Sequence, residues 1–211
     1  MLIELNDLVP DPMPEKIVEA SGIWGGELRI ETRSKVLVSA QSGMGKSTLL
    51  HILYGLRQDY TGTAKVDGTC LRQFSTQEWE RVRRERISLQ FQDLRLFPNL
   101  SARENLLLLP QSNPAAPSLE EMAERLEMTP FLNQSLSTLS QGQRQRMALV
   151  RTLRKPFRFL MLDEPFSHLD ETNQMSACSL IEEIVDRNQA GLLVSSLGST
   201  PHLPFDQIIE L

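Results

Sequence analysis

Cysteine is scarce in this sequence. Cys70 and Cys178 are the two it has, and with three scattered histidines they give neither a disulfide framework nor metal-ligand spacing. A reducing, cytoplasmic setting is the expectation. Long apolar runs are missing too: no window approaches the roughly 18 consecutive apolar residues of a membrane span, and the N-terminus has no basic-then-apolar signal pattern. Work at a membrane would need a partner to hold the chain there. Positive charge is not in excess, since 22 Lys and Arg against 27 Asp and Glu leave a formal net charge of −5. That balance argues against a general nucleic-acid-binding surface, and no nucleic acid is expected as a partner. Internal repeats and low-complexity tracts are absent as well. At 211 residues the chain suits one large domain, or one domain carrying a small subdomain.

What is present centres on Ser39-Ala40-Gln41-Ser42-Gly43-Met44-Gly45-Lys46-Ser47-Thr48. Val36-Leu37-Val38 before it reads as a buried parallel strand, and Leu49, Leu50, Ile52, Leu53 and Leu56 after it recur at helical spacing. A strand thus feeds a glycine loop and then a helix. Gly43 and Gly45 let successive N–H groups turn inward toward phosphate oxygens, and the helix N-terminus adds partial positive charge. Lys46 would reach the β- and γ-phosphates, and the Ser47 hydroxyl would ligate Mg²⁺. Ala40 departs from the pattern, which has its first glycine there.

The rest of the chain alternates strand and helix. Leu2 to Leu5 is strand-like, Pro10, Pro12 and Pro14 interrupt it, and Glu27 to Ile30 is a second strand leading to Arg33-Ser34-Lys35. Tyr60 to Gly68 reads as a strand closed by an Asp-Gly turn. Thr76 to Arg86 is a helix whose interleaved Arg and Glu make a solvated face rather than a nucleic-acid patch. Ile87 to Phe91 is a strand delivering Gln92 to its end. From 93 to 140 the texture changes to a small helical insert, with capping-box pairs Ser101/Glu104 and Ser118/Glu121, a helix over Asn105 to Leu109 and a Pro/Asn/Ala linker at 110–117. Ser140 and Gln143 cap the next helix, which should stop at Lys155 because Pro156 follows. Phe157 to Leu162 is a buried strand ending in Asp163-Glu164-Pro165, two carboxylates that call for a cation nearby, namely the Mg²⁺ of a bound nucleotide. A helix from Glu171 to Asn188, Gly191 near its C-cap, the strand Leu192 to Ser195 and a last strand around Ile208-Ile209 complete the pattern.

In this order the chain resembles the ATP-binding subunit of an ATP-binding cassette (ABC) transporter. Five segments carry the resemblance: Gln41 to Thr48, Phe91-Gln92-Asp93, Leu139 to Arg146, Leu162 to Pro165, and Ser167-His168-Leu169-Asp170. They look like the family's Walker A, Q-loop, signature, Walker B and D-loop. The resemblance implies an α/β fold: a P-loop NTPase core with a mostly parallel sheet, an N-terminal antiparallel β part and a small inserted α-helical subdomain at about 93–140, all within one nucleotide-binding domain spanning 1–211. It implies ATP and Mg²⁺ as ligands. Gln41, Ser42, Gly43, Met44, Gly45, Lys46, Ser47 and Thr48 would hold the nucleotide; Ser47, Gln92 and Asp163 the metal; Glu164 would polarise the attacking water, with Gln92 contacting metal and water. Ser140, Gln141, Gly142 and Gln143 would face ATP held by the opposite subunit, and Asp170 belongs to the D-loop. Catalysis then requires a dimer, of like chains or of unlike ones, and transport requires a transmembrane permease chain.

Further departures accompany Ala40. Gln141 stands where the signature usually has glycine, Ser196 occupies the position of the family's histidine after the last sheet strand, and no aromatic stands where the family stacks adenine. Trp24 is read as packing, and neither His168 nor His202 has the spacing of a replacement for the missing histidine. Slow hydrolysis by the isolated chain is the expectation. The leading function is an ATPase subunit on the cytoplasmic face of a membrane, powering a separate permease. The alternatives are a soluble ABC-type ATPase and a low-turnover ATP-dependent switch.

Overall fold

In the computed structural model, which describes residues 1–108 and 113–211, the elements run β1 (Leu2–Pro10), α1 (Glu15–Ala20), β2 (Glu27–Glu31), β3 (Lys35–Ser39), α2 (Lys46–Leu53), β4 (Tyr60–Val66), β5 (Thr69–Cys70), α3 (Thr76–Glu85), β6 (Ile87–Gln90), α4 (Ala102–Leu107), α5 (Leu119–Arg125), α6 (Gln141–Arg154), β7 (Phe159–Asp163), α7 (Glu171–Arg187), β8 (Gly191–Ser196) and β9 (Gln207–Glu210). A 4-stranded antiparallel sheet has the order β2-β1-β4-β5, and a 5-stranded parallel sheet the order β6-β7-β8-β3-β9. Both the parallel core and the antiparallel N-terminal part expected from the sequence are present. Among the described residues no helix is long and apolar enough to cross a membrane.

Side-chain alternation explains why the interiors of the three central parallel strands, β7, β8 and β3, are apolar on both faces. On β7, Phe159 and Met161 enter the core shared with the antiparallel sheet and α2, while Leu160 and Leu162 enter the core shared with α6 and α7. β3 divides likewise, with Val36 and Val38 to one side and Leu37 to the other, and so does β8, with Leu193 opposed to Leu192 and Val194. One sheet thus has two apolar faces, and truncating a side chain such as Phe159 to Ala would cost about 3–5 kcal/mol.

Parallel pairing sets the strand ends at one edge: Ser39 is opposite Ser196, Asp163 opposite Ser195, and Gln90 opposite Leu162. Ligands of open α/β sheets bind at that carboxyl edge. The insert between β6 and α6 packs beside it, with α4 and α5 burying Leu106 and Met122 against α6 residues such as Met147 and Val150. Its caps form as the sequence indicates: Ser101 and Ser140 make reciprocal capping boxes, and the Ser118 hydroxyl accepts from the Glu121 N–H.

Several boundaries differ from the sequence reading. A short helix, α1, follows the prolines, and β1 continues to Pro10 across an irregularity between Asn6 and Val9. Gly191 is not a helix cap. It opens β8, where a Cβ would lie 2.4 Å from the Phe159 ring, and Gln189 (φ +50°) takes the left-handed turn after α7. The helix expected over Asn105 to Leu109 is α4, which runs Ala102–Leu107; Leu109 and the 110–112 part of the linker lie outside the described residues.

Candidate active site at the P-loop

The loop between β3 and α2 turns on Gly43 (φ +85°) and Gly45 (φ +100°), both in the region that side-chain-bearing residues avoid. Below it lies Trp24, 2% exposed, whose indole N–H donates to the Met44 carbonyl at 3.2 Å. A Cβ on Gly45 would fall 3.1 Å from the same ring. Trp24 therefore braces the loop from beneath, as packing, and the close approach fixes glycine at 45.

Lys46, the first residue of α2, folds back over the loop. Its ammonium donates to the carbonyls of Ala40 (2.8 Å) and Gln41 (3.1 Å) and lies 3.4 Å from Glu164 Oε1. Gln92 donates to Glu164 Oε2 at 3.4 Å, and the Ser47 hydroxyl donates to Gln92 Oε1 at 3.5 Å. These last two contacts are long, so they mark proximity rather than strong bonds. Lys46, Ser47, Gln92 and Glu164 share a cleft of about 200 Å³ with Ser42, Gly43, Gly45 and Thr48.

Asp163 and Glu164 are aimed by what surrounds β7. The Ser195 hydroxyl, one strand over, donates to Asp163 Oδ1 at 2.6 Å and accepts from the Glu164 N–H at 3.0 Å. Gln145 of α6 donates its amide N–H to the Glu164 carbonyl at 2.8 Å. Between these clamps Glu164 takes φ +49°, a left-handed conformation costly for a side-chain-bearing residue and characteristic of strained functional positions. Ser195 and Gln145 were not singled out in the sequence. The available signal for Ser195 was a polar residue ending the apolar run Leu192 to Val194.

Asp163 opens into an adjoining cleft of about 330 Å³ with Ser47, Gln92 and His51. Burial pulls the His51 pKa below its ordinary value, against the opposing pull of Asp163. Ser47, Gln92 and the free oxygen of Asp163 form an oxygen-only donor set. That suits Mg²⁺, which takes one or two carboxylates together with phosphates and water.

The remaining site residues lie apart from these clefts. Ser140 to Gln143 form the start of α6, and a Cβ on Gly142 would lie 2.7 Å from the His168 carbonyl oxygen. Asp170 caps α7, accepting from the Asn173 backbone N–H and side-chain amide at 2.8 Å each, which lowers its pKa. Ser196 lines a third space of about 270 Å³ that also borders Glu164.

Known proteins resemble this chain in sequence and fold. The family described as "ABC transporter" matches residues 26–167. The thiamine import ATP-binding protein ThiQ of Histophilus somni is 31% identical over 191 residues, covering 88% of this chain and 86% of that protein. The lipoprotein-releasing system ATP-binding protein LolD of Leptospira interrogans is 30% identical over 176 residues, covering 82% and 74%. Among solved structures, the ATP-binding cassette MJ0796, a dimer in a post-hydrolysis state bound to ADP and Pi, superposes with a TM-score of 0.73 at 26% identity over 93% of this chain and 88% of its own.

Proposed function

This chain belongs to the ABC transporter family as an ATP-binding ATPase subunit, and from that premise we propose that it hydrolyses MgATP at the Lys46–Glu164 cleft, in a head-to-tail dimer that drives a separate membrane-spanning chain. The observation that carries the reading is the convergence of Lys46, Ser47, Gln92 and Glu164, with Glu164 held in a left-handed conformation between Ser195 and Gln145.

The P-loop N–H groups and Lys46 bind the β- and γ-phosphates, exchanging the carbonyl and carboxylate contacts of Lys46 for stronger charge-assisted ones. Ser47, Gln92 and Asp163 would hold Mg²⁺, which neutralises phosphate charge when bound. Glu164 receives a proton from the attacking water as the water oxygen bonds to the γ-phosphorus. The bond from that phosphorus to the ADP oxygen breaks, and its electron pair stays on ADP. Ser140 and Gly142 face the ATP of the other subunit, so each site is completed by two chains.

The partner chain docks beside the insert. Phe97, Leu107 and Leu108 are 56%, 58% and 50% exposed, apolar side chains of the insert left open to solvent. One relative serves thiamine import and another a lipoprotein-releasing system, and in this reading the membrane chain sets cargo and direction. Residence on the cytoplasmic face of the membrane follows from that docking. Phosphate release tests the chemistry: wild type should turn over, and Glu164→Gln should lose about 10²-fold or more. Equal rates would remove Glu164 from its role.

A further inference from the structure

Glu164 borders two spaces. One is the P-loop cleft; the other is the cavity of about 270 Å³ formed with Phe166, Ser167, Gln174, Ser196 and Ser199. The hydroxyl of Ser196 is engaged within that wall, donating to the Ser199 carbonyl at 2.5 Å and lying 3.0 Å from the Ser199 hydroxyl. Its neighbour Ser195 is committed to Asp163 and the Glu164 N–H. The Ser195 and Ser196 hydroxyls are thus already paired within the protein, and the cavity, whose wall also carries Gln174, has room for a further, longer donor.

The loop leaving Glu164 carries such a group. His168 is exposed, and its side chain makes no hydrogen bond or ion pair among the described residues. It is absent from the cavity wall, although its neighbour Ser167 is part of it. The His168 backbone instead packs on Gly142, where a Cβ would lie 2.7 Å from the His168 carbonyl. His168 thus shares a surface with Ser140 and Gly142, the residues assigned above to the ATP of the other subunit. A two-fold interface uses one patch twice: when His168 of one copy meets the cavity of the other, the reciprocal contact follows. Cavity wall and imidazole lie on one short segment, Glu164 to His168, so a two-fold axis beside that segment completes both sites together.

We propose that His168 of a second copy enters the cavity beside Glu164 and donates an imidazole N–H to the terminal phosphate of the ATP held there. The inference rests on the dimeric reading above. It also gives Ser196 a physical account: the short side chain leaves the space into which the partner's ring fits, and the site is not short of an imidazole.

Mixed dimers test it. His168→Ala should lower phosphate release about 10²-fold, as for loss of one positioned donor, while the mass of the MgATP-dependent dimer stays unchanged. Each heterodimer of a Glu164→Gln chain and a His168→Ala chain keeps one site with both groups only if the imidazole crosses the interface. Mixing the two variants should therefore raise turnover about tenfold over either alone. A readout independent of turnover uses a Glu164→Gln, Cys70→Ser background: a His168→Cys chain and a Ser199→Cys chain should be joined by a short bis-maleimide only when MgATP is present. His168→Ala turning over like wild type, mixed variants staying inactive, or a dimer that does not cross-link would each overturn the role of His168 and leave the dimeric reading standing. Absence of any MgATP-dependent dimer would overturn both.

Discussion

The Lys46 ammonium and the Glu164 carboxylate lie 3.4 Å apart, their side chains 4% and 9% exposed, so the cation proposed to bind phosphate and the carboxylate proposed to accept a proton from water restrain each other at the floor of one cleft. Removing one partner of such a pair leaves the other charge buried and unpaired, at about 3–5 kcal/mol where burial is complete. Lys46→Met should destabilise the fold measurably, and Glu164→Gln combined with it should recover part of the loss, giving a coupling of about 0.5–3 kcal/mol in a denaturant cycle. Additive effects would contradict the pairing. Calorimetry should also find MgATP affinity about 10²-fold weaker for Lys46→Ala, given roughly 1.5–3 kcal/mol per hydrogen bond to a charged group.

A second prediction concerns Lys155, where α6 ends. Burial, with the nearby positive charge of Arg83, lowers its pKa from 10.5 to about 8, and its ammonium donates to the Ile87 carbonyl (2.8 Å) and the Tyr54 hydroxyl (3.2 Å). The unfolded chain keeps the lysine proton up to about pH 10.5, whereas the folded chain releases it near pH 8. Between those values the unfolded state binds more protons, so stability rises with pH. Below pH 8 the full cost is present, about 3 kcal/mol by linkage, and above pH 10.5 it is gone. Lys155→Met should remove this rise from urea midpoints measured across pH 7.5 to 10.5. An unchanged slope would assign the rise to other groups.

Phe97 supplies a third. The buried Asn105 amide brackets its backbone, accepting from the Phe97 N–H at 2.8 Å and donating to its carbonyl at 3.0 Å, which holds the ring in solvent. An exposed ring contributes little to folding, so Phe97→Ser should leave the Tm almost unchanged and MgATP binding intact. Its effect should fall on capture by the permease. Undiminished pull-down of the membrane chain would move the docking surface elsewhere.

The parts of the site that were legible in the sequence are those whose chemistry is local. Gly43 to Thr48 fix a loop and a helix start within a few residues, and the Ser101 and Ser140 caps span three. The partners that hold the carboxylates were not legible, because Ser195 meets Asp163 across 32 positions and Gln145 meets Glu164 across 19. Trp24 was legible as packing, but not what it packs against, because its bond to Met44 spans 20 positions. Gly191 was misplaced for a related reason: glycine after a helix signals a cap, and only the Phe159 ring on the neighbouring strand shows that position 191 needs glycine for space.

If ATP joins two copies of this chain around composite sites, light scattering on Glu164→Gln should reveal it, because the substitution keeps the side chain's volume and should block the hydrolysis that would separate the copies. With saturating MgATP the mass should double from the 24.0 kDa of one chain, and with MgADP it should not. A mass that remains at 24.0 kDa in MgATP at high protein concentration would rule out the composite dimer.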